Sequence, residues 1–330
     1  MNFKRPPLQL NENQKIRTVG FELEFTGVDL PQSSKLIANL FGGRHHEDNK
    51  FAHRITGSRY GDFSVEIDTA ILKDKSYEEY LAKVGIDAGT LPISDALEEI
   101  LAKIASTVVP YEIVTPPIPL TKLSAVDMLR RTLQKHKALG TKASVLYAFG
   151  LHINPEIPSY KASTILNYLK AFLLLYHWIC QESHIDWTRR IVPYINEFTE
   201  DYVRHTLNPE YDPPLEQLMD DYLKHNPTRN RPLDMLPLFA FLDPKRLDHY
   251  PVERELIKPR PALHYRLPNC LIDDPDWTVA GEWNYWVEVE KLATKPEKIN
   301  EMSRECLAFM DSSSSGLKKK WSEKVKEWID

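Results

Sequence analysis

Residues Arg17–Thr26 alternate with a strict period of two. Val19, Phe21, Leu23 and Phe25 fall on one side, and Gly20, Glu22 and Glu24 on the other. That alternation specifies a strand with one buried face and one polar face. The same pattern recurs along the chain. Phe51–Thr56 and Asp62–Ala70 read as a hairpin about Gly57–Gly61, in which Phe63, Val65 and Ile67 alternate with Asp62, Ser64, Glu66 and Asp68. Tyr111–Thr115 is a strand ended by Pro116-Pro117, and it carries Glu112. Ser144–Asn154 sets Tyr147, Phe149, Leu151 and Ile153 against Ala148, Gly150, His152 and Asn154. A late strand, Ala262–Pro268, sets His264 and Arg266 against Leu263, Tyr265 and Leu267.

Between and after these strands the period changes to that of helices. Lys35–Phe41 is short and amphipathic, Ser94–Ser106 has Ser94 as N-cap, and Ala125–Leu139 is closed by Gly140. Lys161–Ser183 is long and so apolar that it reads as a buried core helix. Tyr194–Leu207 and Leu215–His225 follow it, then Asp276–Leu292 and Pro296–Phe309. A linker, Asp311–Gly316, precedes a last charged helix, Leu317–Ile329. Strands concentrated early and helices late give an α+β fold. Its expected parts are 1–158, the first part of a catalytic sheet domain; 159–250, a helical insert; and 251–330, the late strand with C-terminal helices.

Composition narrows the function. Lys and Arg number 42 against 47 Asp and Glu, a net charge of −5, which argues against a general nucleic-acid binder. Cys180, Cys270 and Cys306 are too few and too scattered for a disulfide framework or a structural zinc site. The N-terminus has no apolar signal-peptide core, and the most apolar stretch, Ala171–Cys180, is too short to span a bilayer. A cytoplasmic protein without membrane partners is expected. With only 12 glycines there is neither GxxxxGK[ST] nor GxGxxG, so any nucleotide must be held by another architecture.

The polar strand faces carry the chemistry. If the strands share one sheet, Glu22, Glu24, Asp62, Glu66, Asp68 and Glu112 meet His152, His264 and Arg266 on one face. Residues i and i+2 of a strand share a face with Cα atoms about 6.5 Å apart. Packed carboxylates repel and raise one another's pKa, and divalent cations relieve this. Oxygen-rich sites favour Mg²⁺ or Mn²⁺, and Mn²⁺ accepts a histidine. The plainer reading is the solvated face of a half-exposed sheet. Against it stands the absence of Lys and Arg at these positions on the earlier strands.

Five segments resemble, in order, the motifs of the amidoligase family within the glutamine synthetase and glutamate–cysteine ligase superfamily. They are Val19–Phe25, Gly57–Asp68, Tyr111–Pro117, Gly150–Asn154 and His264–Asn269. The resemblance implies a glutamine synthetase-like curved antiparallel sheet whose concave face holds ATP and divalent cations, Mg²⁺ or Mn²⁺. It assigns Glu22, Glu24, Glu112 and His152 as metal ligands, and Arg266, with Asn154 and Ser64, to the nucleotide. Arg266 would contact phosphate or acyl phosphate. Of the hairpin acids, Glu66 and Asp62 match better than Asp68, and either is left to act as general base. Related sequences often carry an acid two residues before the arginine, where this chain has His264, which leaves the metal count open.

The implied reaction is ATP-dependent ligation of a small-molecule or peptide acid to an amine through an acyl phosphate. Two alternatives remain: a metal-dependent hydrolase using the acidic face without ATP, and a non-catalytic interaction protein on a ligase fold. Arg266 favours phosphoryl chemistry over the hydrolase. Relatives of glutamine synthetase often assemble, so a homo-oligomer stays open.

The remaining features have plain readings. His45-His46-Glu47-Asp48 reads as a solvated loop, and Asn226–Arg231 as a basic surface turn or an anion contact. Lys318–Lys320 reads as a solvated helix face, and Trp283, Trp286, Trp321 and Trp328 as helix packing. Cys270 has no activating partner in view.

Overall fold

The computed structural model describes residues 2–67, 110–141, 149–185, 195–312 and 316–329. The expected helix Ser94–Ser106, Asp68, and the beginnings of the segments read as Ser144–Asn154 and Tyr194–Leu207 lie outside them.

The described strands form one open antiparallel sheet. They are β1 (Thr18–Phe25), β2 (Arg44–Asn49), β3 (Ala52–Ser58), β4 (Gly61–Ile67), β5 (Tyr111–Val114), β6 (Ile118–Pro119), β7 (Leu151–Pro155), β8 (Leu233–Asp234) and β9 (His264–Tyr265). Their order is β2-β3-β4-β5-β1-β7-β9-β8, with β6 pairing the start of β1. β1 is therefore central, between β5 and β7. With helices covering one side, the architecture is α+β, as the strand and helix periods predict.

The buried face is the apolar one. Val19, Phe21, Leu23 and Phe25 are all fully buried. At one end of the sheet the cover is α1 (Leu30–Phe41), whose Phe41 stacks on Phe63 of β4 at 5.4 Å. Asp29 caps this helix by accepting from the Gln32 N–H, and Gly42, at φ +77°, ends it. At the other end are α3 (Ala162–Glu182) and α7 (Val279–Ala293), which place Phe172 and Trp286 on Tyr265 of β9, at 5.8 and 5.2 Å. Each such aromatic contributes about 1.5–3 kcal/mol by leaving water. The helix α2 (Ser124–Lys135) also packs on α1 and α7.

α3 is the core helix expected from its composition. It buries one cation, Lys170, whose Nζ donates to the carbonyls of Asn208 and Tyr211, both at 3.1 Å. Around it lie α4 (Glu200–Leu207), α5 (Leu215–His225), α8 (Pro296–Ser312) and α9 (Leu317–Val325), while α6 (Leu236–Leu242) follows β8 directly. The tryptophans pack helices as expected: Trp321 donates to the Leu174 carbonyl at 2.9 Å, and Trp328 to Glu305 at 3.0 Å. All three cysteines are buried thiols. No helix among the described residues is long and apolar enough to cross a membrane.

Three elements differ from the reading of the sequence. His45–Asp48 is not a loop but part of edge strand β2, exposed throughout, with His45 Nε2 3.1 Å from His53 Nδ1. Its polarity misleads because an edge strand needs no buried face. The late strand is regular only over His264–Tyr265, with isolated bridges at Ala262 and Asn269 on either side, since Pro261 and Pro268 bound the segment and cannot donate to a ladder. The segment 159–250 is not wholly helical: it supplies β8, whose Asp234 stands opposite His264. Two residues are too few to show a period.

Candidate functional site

The register of the sheet brings the acids together. Glu112 of β5 stands opposite Glu24 of β1 on one side and Glu66 of β4 on the other. Opposed side chains have Cβ atoms roughly 4.5–5.5 Å apart, and like charges so placed repel. Part of this repulsion is met by the protein. Glu24 Oε2 accepts from the Gly150 N–H at 2.6 Å, and Lys258 Nζ lies 3.9 Å from Glu66 Oε1.

One row along β1, Glu22 stands opposite His152 of β7. Its two oxygens have different surroundings. Oε1 accepts from Asn154 Nδ2 at 2.9 Å and lies 3.4 Å from Arg260 Nη2, which also donates to Asn154 Oδ1 at 2.8 Å. Oε2 lies 2.9 Å from His152 Nδ1 and 3.6 Å from His264 Nε2. The other nitrogen of each ring meets another carboxylate. His152 Nε2 is 3.4 Å from Glu24 Oε1, and His264 Nδ1 is 3.4 Å from Asp234 Oδ2.

Burial opposes charge on Glu22, but His264 and His152 beside it hold it well below the usual carboxylate range. Burial pushes His152 down to about 3, against the pull of Glu22. His152 is therefore neutral near pH 7 and has one N–H for two carboxylate neighbours. One ring nitrogen must present its lone pair to a carboxylate, an arrangement that a cation between them relieves. Glu22, His152 and His264 bring ligand atoms within 4.8 Å of one another, as do Glu24, Glu112 and His152. The donor set thus suits divalent cations, with His152 common to both groups.

These groups line a cleft of about 310 Å³ together with four basic residues, Arg229, Lys258, Arg260 and Arg266, and two further acids, Asp234 and Glu255. Arg266 Nη1 donates to the Arg229 carbonyl and to Asn230 Oδ1, so the guanidinium is fixed in direction. Burial lowers its pKa, which leaves a guanidinium still charged at neutral pH.

Of the residues singled out from sequence, Glu22, Glu24, Glu66, Glu112, His152 and Arg266 line the cleft together. Asn154 reaches it through Glu22 and Arg260. Ser64 shares the face, in register with Val114 and so with Glu22, but does not line the cleft. Asp62 is exposed and accepts from the Gly57 N–H in the hairpin turn at 2.8 Å, away from the cleft.

Sequence reasoning does not bring Asp234, Lys258 or Arg260 to the site, and it treats His264 as a departure. The basic run Asn226–Arg231 signals Arg229. Pro259 and Pro261, which hold Lys258 and Arg260 on an extended segment, are a weaker signal. Nothing in the spacing points to Asp234.

The family described as "Putative amidoligase enzyme" matches residues 15–288, which include every residue lining the cleft. No curated protein matched the chain.

Proposed function

The chain belongs to the amidoligase family, and on that premise we propose that it is an ATP-dependent carboxylate–amine ligase acting with divalent cations. The observation that carries this reading is the cleft itself, in which the sheet's acids and imidazoles share one lining with four basic side chains. Acids and imidazoles suit cations, and guanidinium groups suit phosphate and carboxylate. Both are needed where a nucleotide and a carboxylate must lie side by side.

A carboxylate is a poor acylating agent because its leaving group would be oxide. In the proposed reaction its oxygen takes the γ-phosphoryl group of ATP and ADP departs. The amine nitrogen then attacks the carbonyl carbon, phosphate leaves with that oxygen, and the amine gives up a proton. Mg²⁺ or Mn²⁺, when bound, would neutralise phosphate oxygens as charge moves between them.

The chain's own residues have distinct parts. Glu22, Glu24, Glu112 and His152 would hold the cations, and Asn154 would orient Glu22. Arg266, fixed by the Arg229 carbonyl and Asn230, would meet the transferred group without reorganising. Glu66 would take the proton from the amine, since it faces the cleft and Asp62 does not. The substrates proposed are a small-molecule or peptide acid and an amine.

The test is phosphate release by the purified protein across a panel of acid and amine pairs. Release that needs ATP, acid, amine and a divalent cation, and is lost in Glu24→Gln and Glu112→Gln, is expected. Cleavage of an amide without ATP would replace the ligase by a hydrolase. Absence of any ATP-dependent thermal shift in the presence of Mg²⁺ and Mn²⁺ would leave the ligase reading without support.

A further inference from the structure

We propose that His264 makes one half of the cleft a nitrogen-rich metal site, Glu22–His152–His264 with Asp234 orienting His264, that takes a first-row transition ion in preference to Mg²⁺. The inference rests on the metal-lined reading of the cleft and goes beyond it in naming the ion class and two residues that reading does not use.

The carrying observation is an orphaned atom. His264 Nε2 is buried and has no hydrogen-bond partner, although Glu22 Oε2 stands 3.6 Å away. The ring's other nitrogen faces Asp234 Oδ2 at 3.4 Å. Asp234 is itself fixed, because its Oδ1 accepts from the Leu236 N–H at 2.9 Å, and its side chain is 1% exposed. In the neutral ring a carboxylate behind Nδ1 favours the proton there, which turns the Nε2 lone pair toward Glu22. This is the arrangement in which a histidine ligand is oriented by a second carboxylate.

The spacing suits one ion. Around a cation with bonds of about 2.1 Å, neighbouring ligand atoms lie roughly 3.0–3.4 Å apart. Glu22 Oε2 is 2.9 Å from His152 Nδ1 and 3.6 Å from His264 Nε2. The remaining oxygen, Oε1, is already engaged by Asn154 and Arg260. That leaves Oε2 as the ligand atom.

Ligand type then decides the ion. Two imidazoles and one carboxylate form the set here, whereas the second group, Glu24, Glu112 and His152, has two carboxylates. Imidazole favours Zn²⁺, Co²⁺, Fe²⁺ and Ni²⁺, while Mg²⁺ keeps to oxygen ligands and bound water. His264 makes the two halves of the cleft different.

The experiment titrates chelator-stripped protein with Mg²⁺, Mn²⁺, Co²⁺ and Zn²⁺ by calorimetry, and follows Co²⁺ by its visible absorption. Wild type is expected to bind Co²⁺ and Zn²⁺ more tightly than Mg²⁺. His264→Gln and Asp234→Asn should each weaken Co²⁺ on the order of 10–100-fold. His264→Glu should narrow the Co²⁺ to Mg²⁺ preference. Equal affinities in wild type, or a preference untouched by both His264 substitutions, would overturn the inference and leave the metal-lined cleft standing. Failure of wild type to bind any of the four ions would overturn the metal-lined reading as well. Should the substituted proteins not fold, pulsed electron paramagnetic resonance of Mn²⁺-loaded wild type counts coordinated imidazoles directly. Two are expected, and one or none would overturn the assignment.

Discussion

Arg17 and Glu290 form a bidentate ion pair that is shut away from water, with both side chains 1% exposed. Nη1 and Nη2 donate to the two carboxylate oxygens at 2.7 and 2.8 Å. Two further guanidinium protons go to the Leu8 and Glu156 carbonyls, and Tyr168 and Trp286 donate to the same carboxylate. The pair ties the start of β1, the strand that carries Glu22 and Glu24, to α7. Breaking it from one side strands a buried charge. Glu290→Ala is expected to cost about 3–5 kcal/mol in denaturant unfolding, and the double change Arg17→Met/Glu290→Leu less than that. Equal costs for single and double variants would count against this account.

The row Glu66–Glu112–Glu24 predicts an opposition between stability and binding. In metal-free protein Glu112→Gln removes a like charge from between two others, and should raise stability by about 0.2–1 kcal/mol. The same variant should lose most of the thermal shift produced by divalent cations. Melting with and without chelator reads both effects. A Glu112→Gln protein less stable than wild type under chelator would show that the row is not strained.

Acid should loosen the metal-free protein through His152 and Glu22. Both fold with pKa values depressed, His152 from 6.5 to about 3 and Glu22 well below 4.5. The unfolded chain therefore binds more protons. The stability from His152 is present above pH 6.5 and is lost as pH falls toward about 3, and that from Glu22 is lost below pH 4.5. Inside its window each group contributes at most about 1.4 kcal/mol per pH unit. Urea midpoints between pH 4 and 7 should fall with pH, and His152→Gln should flatten that slope. An unchanged slope would exclude His152 as the titrating group.

Arg266→Lys keeps the charge but loses the fixed fork. The lysine cannot donate to the Arg229 carbonyl and Asn230 while also aiming two parallel donors at a phosphate. Loss of one preorganised donor costs roughly 10²–10³ in rate. Phosphate release should fall by that order, with the apparent Kd for Mg²⁺ little changed. A loss of metal affinity equal to the loss of rate would move Arg266 from the nucleotide to the metal site.

Much of the cleft is legible in strand alternation. Glu22, Glu24, Glu66, Glu112 and His152 all sit on polar faces that the period of two marks out, and all line the cleft. The same pattern also draws in Asp62 and Ser64, which share a strand with Glu66. Alternation assigns a face, and a cleft covers only part of one. Asp234 is invisible to it because its strand is two residues long and its partner, His264, lies far along the chain.

The boundary between the two kinds of information is a physical one. Which residues of a strand point the same way follows from the pleat, a property of neighbouring residues, so the sequence alone determined that Glu22 and Glu24 oppose Phe21 and Leu23. Its apolar runs likewise determined that α3 is buried. Which strands lie side by side is decided by long-range pairing that no local period encodes. Only the tertiary structure set β1 between β5 and β7, and so put Glu112 beside Glu24 and His152 beside Glu22. Only it turned Arg229, Lys258 and Arg260 toward that face and placed Asp234 behind His264.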